Sequence, residues 1–182
     1  MKDYKGFENK SVVVLGYGKS GKSAVNALVT LGANVTLTTN EVFSDEESEQ
    51  KMNGWGVEIV DGHHPIHLLN DADFIVKNPG IPYSIPFLVE ATERNIPIVT
   101  EVEIAHLLSE APIYALTGTN GKTTCTHLLG EMLENGGSHP ILCGNIGYPA
   151  TDAAMEATPD DTLVMELSSF QLLGTETFRP NI

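Results

Sequence analysis

Residues 115–124 read Ala-Leu-Thr-Gly-Thr-Asn-Gly-Lys-Thr-Thr. The apolar run Ile113–Leu116 leads in as a strand, and Lys122–Asn135 leads out as a helix that Gly136-Gly137 stops. Helical spacing puts Leu128, Leu129, Met132 and Leu133 on the inward side of that helix. A glycine-rich turn between strand and helix makes a phosphate cradle. Its backbone N–H groups face anionic oxygens, and the positive end of the helix adds to them. Lys122 can reach β- and γ-phosphates, and the Thr123 hydroxyl suits Mg²⁺. The general P-loop pattern has glycine where this chain has Leu116, so the shorter form Gly118-x-x-Gly121-Lys122-Thr123 remains. The plainer reading is a turn whose glycines serve only the junction; the order strand, loop, helix favours phosphate.

Working outward, residues 162–166, Thr-Leu-Val-Met-Glu, form a short apolar run ending in a carboxylate. Buried parallel strands look like this, and in phosphoryl-transfer sites a neighbouring strand ends in an acid that helps hold Mg²⁺. Glu166 is the candidate, against the alternative of a solvated strand end.

Toward the N-terminus the same grammar repeats. Ser11–Leu15 is a strand, about Ser20 to Leu31 a helix burying Ala24, Val25, Leu28 and Leu31, and Val35–Thr38 a second strand. Ser44-Asp-Glu-Glu47 has capping-box spacing and predicts a short helix ending at Asn53-Gly54. Val57–Val60, Phe74–Lys77 and Ile96–Val99 are strands, with a helix from Pro86 to about Arg94. Glu101–Leu108 is a helix, and Ile141–Cys143 and Leu163–Met165 are strands. The class is α/β with parallel sheets. Residues 1–97 form a Rossmann-like domain, and 98–182 the first part of a P-loop domain. A three-stranded P-loop sheet leaves an apolar edge open, so the chain is expected to stop inside its second domain.

The first domain carries its own glycine loop, Gly16-Tyr-Gly-Lys-Ser-Gly21, which satisfies GxGxxG between strand and helix. A dinucleotide site wants a carboxylate at the end of the second strand; here stand Thr38-Thr39-Asn40, with Glu41 slightly late. The loop is therefore expected to take the diphosphate of another nucleotide, with Lys19 or Lys22 assisting; the alternative is a packing turn.

Composition bounds the partners. The 182 residues are 41% hydrophobic and carry a formal charge of −14, from 24 acids and 10 bases. Nucleic acid and anionic membranes want the opposite balance. No apolar run approaches the roughly 20 residues of a membrane span. Neither a signal peptide nor a CxxC pair is present, so a reducing cytoplasmic setting is expected.

Three further strings, Asn78-Pro-Gly-Ile-Pro82, Gly144-Asn-Ile-Gly147 and Glu166-Leu-Ser-Ser-Phe-Gln-Leu172, join Thr117-Gly-Thr-Asn-Gly-Lys-Thr123. In this order and spacing they resemble the Mur ligases of peptidoglycan synthesis, over residues 8–182. The P-loop string is shared with folylpolyglutamate synthases; the combination of Asn78-Pro-Gly-Ile-Pro82 with Glu166-Leu-Ser-Ser-Phe-Gln-Leu172 points to the branch that adds D-glutamate. The resemblance implies an ATP- and Mg²⁺-dependent ligase joining UDP-N-acetylmuramoyl-L-alanine to D-glutamate through an acyl phosphate. It implies that Gly118, Thr119, Asn120, Gly121, Lys122, Thr123 and Thr124 hold ATP, and that Thr123 and Glu166 hold the metal. It implies that Gly18, Lys19, Ser20, Asn78, Pro79 and Gly80 line the diphosphate site, and that Asn145, Ser168 and Gln171 face the muramoyl peptide. Where the family has an Asp-Thr pair for uracil, this chain has Thr39-Asn40. A second metal-binding His, a modified Lys and the D-glutamate domain would lie beyond Ile182, so these residues alone are expected to be inactive. Another Mur ligase, a folylpolyglutamate synthase, or a non-catalytic nucleotide-binding module are the alternatives.

Other features read blandly. Asp61-Gly-His-His-Pro-Ile-His67 is a surface loop rather than a metal site. Cys125 and Cys143 are buried small hydrophobes, Ser168-Ser169 lacks a nucleophile elbow, and Trp55 anchors a turn.

Overall fold

The computed structural model describes residues 1–2, 4–42 and 44–182. They divide into one compact unit of Lys5–Val99 and another of Met1–Tyr4 with Thr100–Ile182.

In the first unit, β1 (Ser11–Leu15), β2 (Asn34–Thr38), β3 (Glu58–Val60), β4 (Phe74–Lys77) and β5 (Ile98–Val99) form one parallel sheet in the order β3-β2-β1-β4-β5. The central strand β1 is buried from Val12 to Leu15, as a strand covered on both faces must be. Helix α1 (Lys19–Thr30) buries Ala24, Val25, Ala27 and Leu28, and α3 (Pro86–Glu93) places Phe87, Leu88 and Ala91 in a cluster with Leu15 and Ile75. Strand order reverses between β1 and β4. Their C-terminal ends part there and leave a crevice, the usual ligand position in such sheets.

Helix α2 (Glu46–Gly54) starts later than its capping-box spacing predicts. Asp45, not Ser44, is the N-cap: its carboxylate accepts from Ser48 N at 3.1 Å and Ser48 Oγ at 2.6 Å. Asp and Ser cap about equally well; here Asp45 is also held by Lys22, whose Nζ lies 2.9 Å from Asp45 Oδ2.

In the second unit, β6 (Ile113–Leu116), β7 (His139–Gly144) and β8 (Asp161–Glu166) form a parallel sheet in the order β6-β8-β7. Pro140 extends β7 beyond its apolar core, which an edge strand tolerates because one side needs no ladder donors. Helices α4 (Glu101–Leu108), α5 (Lys122–Asn135), α6 (Ala150–Glu156) and α7 (Ser169–Leu172) complete the unit; α6 and α7 escape sequence reading because they are short. The inward stripe of α5 is corrected. Thr126 and Gly130 are buried with Leu129 and Leu133 half-buried, while Leu128 and Met132 stand 55% and 63% exposed. Gly130 sets this rotation: it lets Leu142 of β7 approach to 2.7 Å from where a Cβ would stand. The same rotation leaves Cys125 exposed, whereas Cys143 is buried as expected, its thiol pushed up to about 12 by burial. No helix among the described residues is long and apolar enough to cross a membrane.

Candidate functional site

At the crevice of the first unit lies an open cavity of about 500 Å³, lined by Gly16, Gly18, Thr39, His64, Asn78 and Ile81 among others. The glycine loop and the Asn78 turn face each other here: a Cβ on Gly18 would stand 2.7 Å from Asn78 Nδ2. Of the residues expected at a diphosphate, Gly18 and Asn78 line the cavity, and Lys19, Ser20, Pro79 and Gly80 do not; Thr39 and Asn40, at the place matching the uracil pair, line it too. Lys22 is held by Asp45 and lies over the Tyr17 ring, 4.7 Å from its centroid. Thr38 is fully buried, its hydroxyl 3.0 Å from the His63 carbonyl oxygen and 2.9 Å from His64 Nδ1. The strand end therefore offers no carboxylate, though Glu41 and Asp45 line the cavity farther along.

Two residues of this unit escaped sequence reasoning. His64 belongs to the histidine-rich stretch read as a surface loop, yet it lines the cavity and stacks at a tilt on Phe87, 5.8 Å between ring centroids. Burial, then the His63 charge, lowers its pKa from 6.5. No cluster among the described residues groups three metal-binding side chains. Lys77 reads in sequence as the last residue of a strand, yet it is 2% exposed; a lysine ending an apolar run just before two prolines was the available signal.

The second unit builds its site at the C-terminal ends of its strands. Leu116 of β6 and Gly144 of β7 both stand in register with Glu166 of β8. The loops leaving all three strands therefore meet around one carboxylate. Glu166 is 1% exposed; Oε2 accepts from Thr123 Oγ1 at 2.7 Å and Oε1 from Asn145 Nδ2 at 2.8 Å. Gly121 takes the left-handed conformation at φ 76° and starts α5, and Lys122 Nζ curls back to donate to Gly118 O at 2.9 Å. Sequence-predicted Lys122, Thr123, Glu166 and Asn145 are thus linked through the loop and its carboxylate. No Lys, Arg or His among the described residues forms an ion pair with Glu166. A buried carboxylate with only neutral partners, beside a hydroxyl oxygen, is a hard-oxygen donor set that fits Mg²⁺.

The Ser168 hydroxyl and Gln171 Oε1 stand 3.0 Å apart and bond to each other. The two residues form the capping box of α7, with Gln171 Oε1 accepting from Ser168 N at 2.9 Å. The N-terminal end of α4 holds the two short helices α7 and α6. Thr100 Oγ1 donates to Gln171 O at 2.8 Å, and Glu101 Oε2 accepts from Thr151 N at 2.9 Å and Thr151 Oγ1 at 2.7 Å. Glu101 Oε1 has no partner, and burial outweighs the Thr151 hydrogen bonds, raising the carboxyl above 4.5.

The sequence profile of the Mur ligase MurD-like N-terminal domain matches residues 10–100, and that of the Mur ligase middle domain matches residues 116–181. UDP-N-acetylmuramoylalanine--D-glutamate ligase of Streptococcus mutans is 50% identical over all of this chain, which covers 41% of that protein. The Staphylococcus carnosus protein of the same name is also 50% identical, with 40% of its length covered. The chain thus spans about 40% of the length of these curated relatives. Among solved structures, a murein peptide ligase of Psychrobacter arcticus superposes with TM-score 0.53 at 17% identity, over 89% of this chain and 39% of that one. A UDP-N-acetylmuramate:L-alanyl-gamma-D-glutamyl-meso-diaminopimelate ligase from Neisseria meningitides gives 0.52 at 16%, over 87% and 52%. These structural likenesses speak to the fold.

Proposed function

This chain belongs to the Mur ligase family, and from that premise we propose that it is the nucleotide-binding portion of an ATP-dependent ligase. That ligase adds D-glutamate to UDP-N-acetylmuramoyl-L-alanine in the cytoplasm. The observation that carries the reading is the buried Glu166 bonded to Thr123 of the phosphate loop and to Asn145. The shared name of relatives 50% identical along the whole chain supports the choice of substrates.

The first unit takes the UDP end of the substrate at its crevice, and the second takes ATP on Gly118–Thr124. A carboxylate is a poor acylating group. Its oxygen attacks the γ-phosphorus of ATP, the bond to the β–γ bridging oxygen breaks, and ADP leaves. The amine of D-glutamate then attacks the acyl phosphate, and inorganic phosphate departs with the amide formed. In the first step the protein's work is alignment and neutralisation of charge. Lys122 exchanges the Gly118 carbonyl for phosphate oxygens, and the loop N–H groups bind the rest. Thr123 and Glu166 would hold Mg²⁺, whose charge lowers the repulsion between the two anionic reactants. Asn145 fixes the Glu166 carboxylate from the side opposite Thr123.

Calorimetry on the 182-residue chain tests this. Mg-ATP and UDP-N-acetylmuramoyl-L-alanine should each bind with a stoichiometry of one, and NAD should not. Tight NAD binding, or no binding of either expected ligand, would overturn it.

A further inference from the structure

The Lys77 ammonium is buried at the end of β4 and has three protons to place. It donates to the carbonyl oxygens of Asn78 at 3.1 Å, Pro79 at 3.2 Å and Ile81 at 2.7 Å. Donors and acceptors match one for one. The carbonyls of Asn78 and Ile81 belong to peptide bonds whose nitrogens are Pro79 and Pro82, so neither amide has an N–H of its own. The turn closes with a single backbone bond, Ile81 N to Asn78 O at 3.0 Å, and the lysine ties its carbonyls together from beneath. Tyr83 covers the ammonium, its ring centroid 4.8 Å away.

The turn has one polar output. Gly80 N donates to Asn78 Oδ1 at 3.3 Å, which turns Asn78 Nδ2 toward Gly18 across the cavity. Among the described residues no carboxylate forms an ion pair with Lys77. In a chain of net charge −14, this buried cation stands uncompensated directly beneath the crevice residue Asn78. Burial depresses its pKa from 10.5, which means the fold bears a cost to keep it there.

We propose that Lys77 is the positioning residue for a nucleoside diphosphate in the first unit: it shapes the Asn78–Ile81 turn so that Asn78 meets the glycine loop, and it supplies the buried positive charge that the diphosphate answers. The inference rests on the reading of this unit as the UDP-binding one. It separates the anionic part of the ligand from the rest. Lys77 does not itself line the cavity but bonds to Asn78 and Ile81, which do, so it acts on the ligand through the turn and through its field.

The test compares UDP with uridine, titrated by NMR into the 182-residue chain and into Lys77→Met, with thermal unfolding as the check on folding. The expected result is UDP affinity reduced at least tenfold in the variant and uridine affinity within twofold of the parent. Lys77→Arg, which keeps the charge and spare donors, should recover part of the UDP affinity. A role in folding alone would reduce both ligands together or neither, and either result overturns the inference. Should Lys77→Met fail to fold, Lys77→Gln restores two donors without charge and is read by the same comparison. A parent chain that binds neither probe overturns the reading of the unit and this inference with it. UDP binding undiminished in a folded variant overturns the inference alone.

Discussion

In the first unit, a Cβ on Gly21 would lie 2.1 Å from the Gly16 carbonyl oxygen; in the second, a Cβ on Gly121 would meet nothing within 4 Å. Both residues end a glycine motif at a strand-to-helix junction, Gly21 in the first turn of α1 and Gly121 as the N-cap of α5, yet they are glycine for different reasons. Gly21 brings α1 against its own loop, which is a packing demand. Gly121 turns the chain left-handed at φ 76° to open α5, which is a conformational demand. The surroundings differ in the same sense. The first loop is walled by the Asn78 turn and a cavity; the second depends on charged and hydroxyl side chains, Lys122, Thr123 and Glu166. A shared local pattern thus serves one shaped pocket and one electrostatic cradle.

Exchanging the demands breaks the comparison most severely. Gly21→Ala drives a methyl group into backbone, which does not yield as a side-chain tip does. The cost should exceed the about 1–3 kcal/mol of ordinary overpacking and unfold the first unit. Trp55, the only tryptophan, lies in that unit, so its fluorescence reads the loss directly. Gly121→Ala should cost about 1–2 kcal/mol within the second unit and leave the Trp55 transition in place. Equal shifts of that transition in both variants would dissolve the distinction.

The electrostatic side is sharpened by Lys122→Ala. Losing one hydrogen bond from a charged donor, worth about 1.5–3 kcal/mol, should weaken Mg-ATP by about 10–100-fold. UDP binding should stay unchanged. A matching loss of UDP affinity would show that the loops do not act as separate sites.

The smallest effect concerns the support of the second site. Glu101 has its carboxyl raised above 4.5 by burial. The folded state holds that proton more tightly than the unfolded chain does, so stability is fully present below 4.5 and falls as pH rises toward the folded value. Exchange protection of the Thr151 amide, bonded to Glu101 Oε2, should fall over that window. Glu101→Gln should flatten the trend. An unaltered pH profile would remove Glu101 from the account.

Legibility followed sequence distance. The strand–loop–helix at Ile113–Asn135 and the carboxylate ending β8 were readable because each is a contiguous pattern. That Glu166 is buried and shared between Thr123 and Asn145 was not, since it depends on β8 lying between β6 and β7. The stripe on α5 was misread at Leu128 and Met132 because apolar residues occupy more of the helix than its contact with the sheet uses. Gly130, silent in a hydrophobic pattern, chose the face. Ser168 and Gln171 resemble ligand groups in a motif; that the Ser168 hydroxyl and Gln171 Oε1 also bond to each other at the start of α7 was visible only in the structure.

Taken alone, the sequence determined what is local: alternating strands and helices, two glycine loops, the absence of a carboxylate at Thr38-Thr39, and the family that these strings mark. Periodicity and turn chemistry act over a few residues, so they survive in one dimension. The tertiary structure alone decided what is convergent: strand order, the crevice between β1 and β4, the carboxylate common to three loops, and the buried ammonium of Lys77 under the Asn78 turn. Burial sets the worth of a charge, and burial is a property of everything that packs around it.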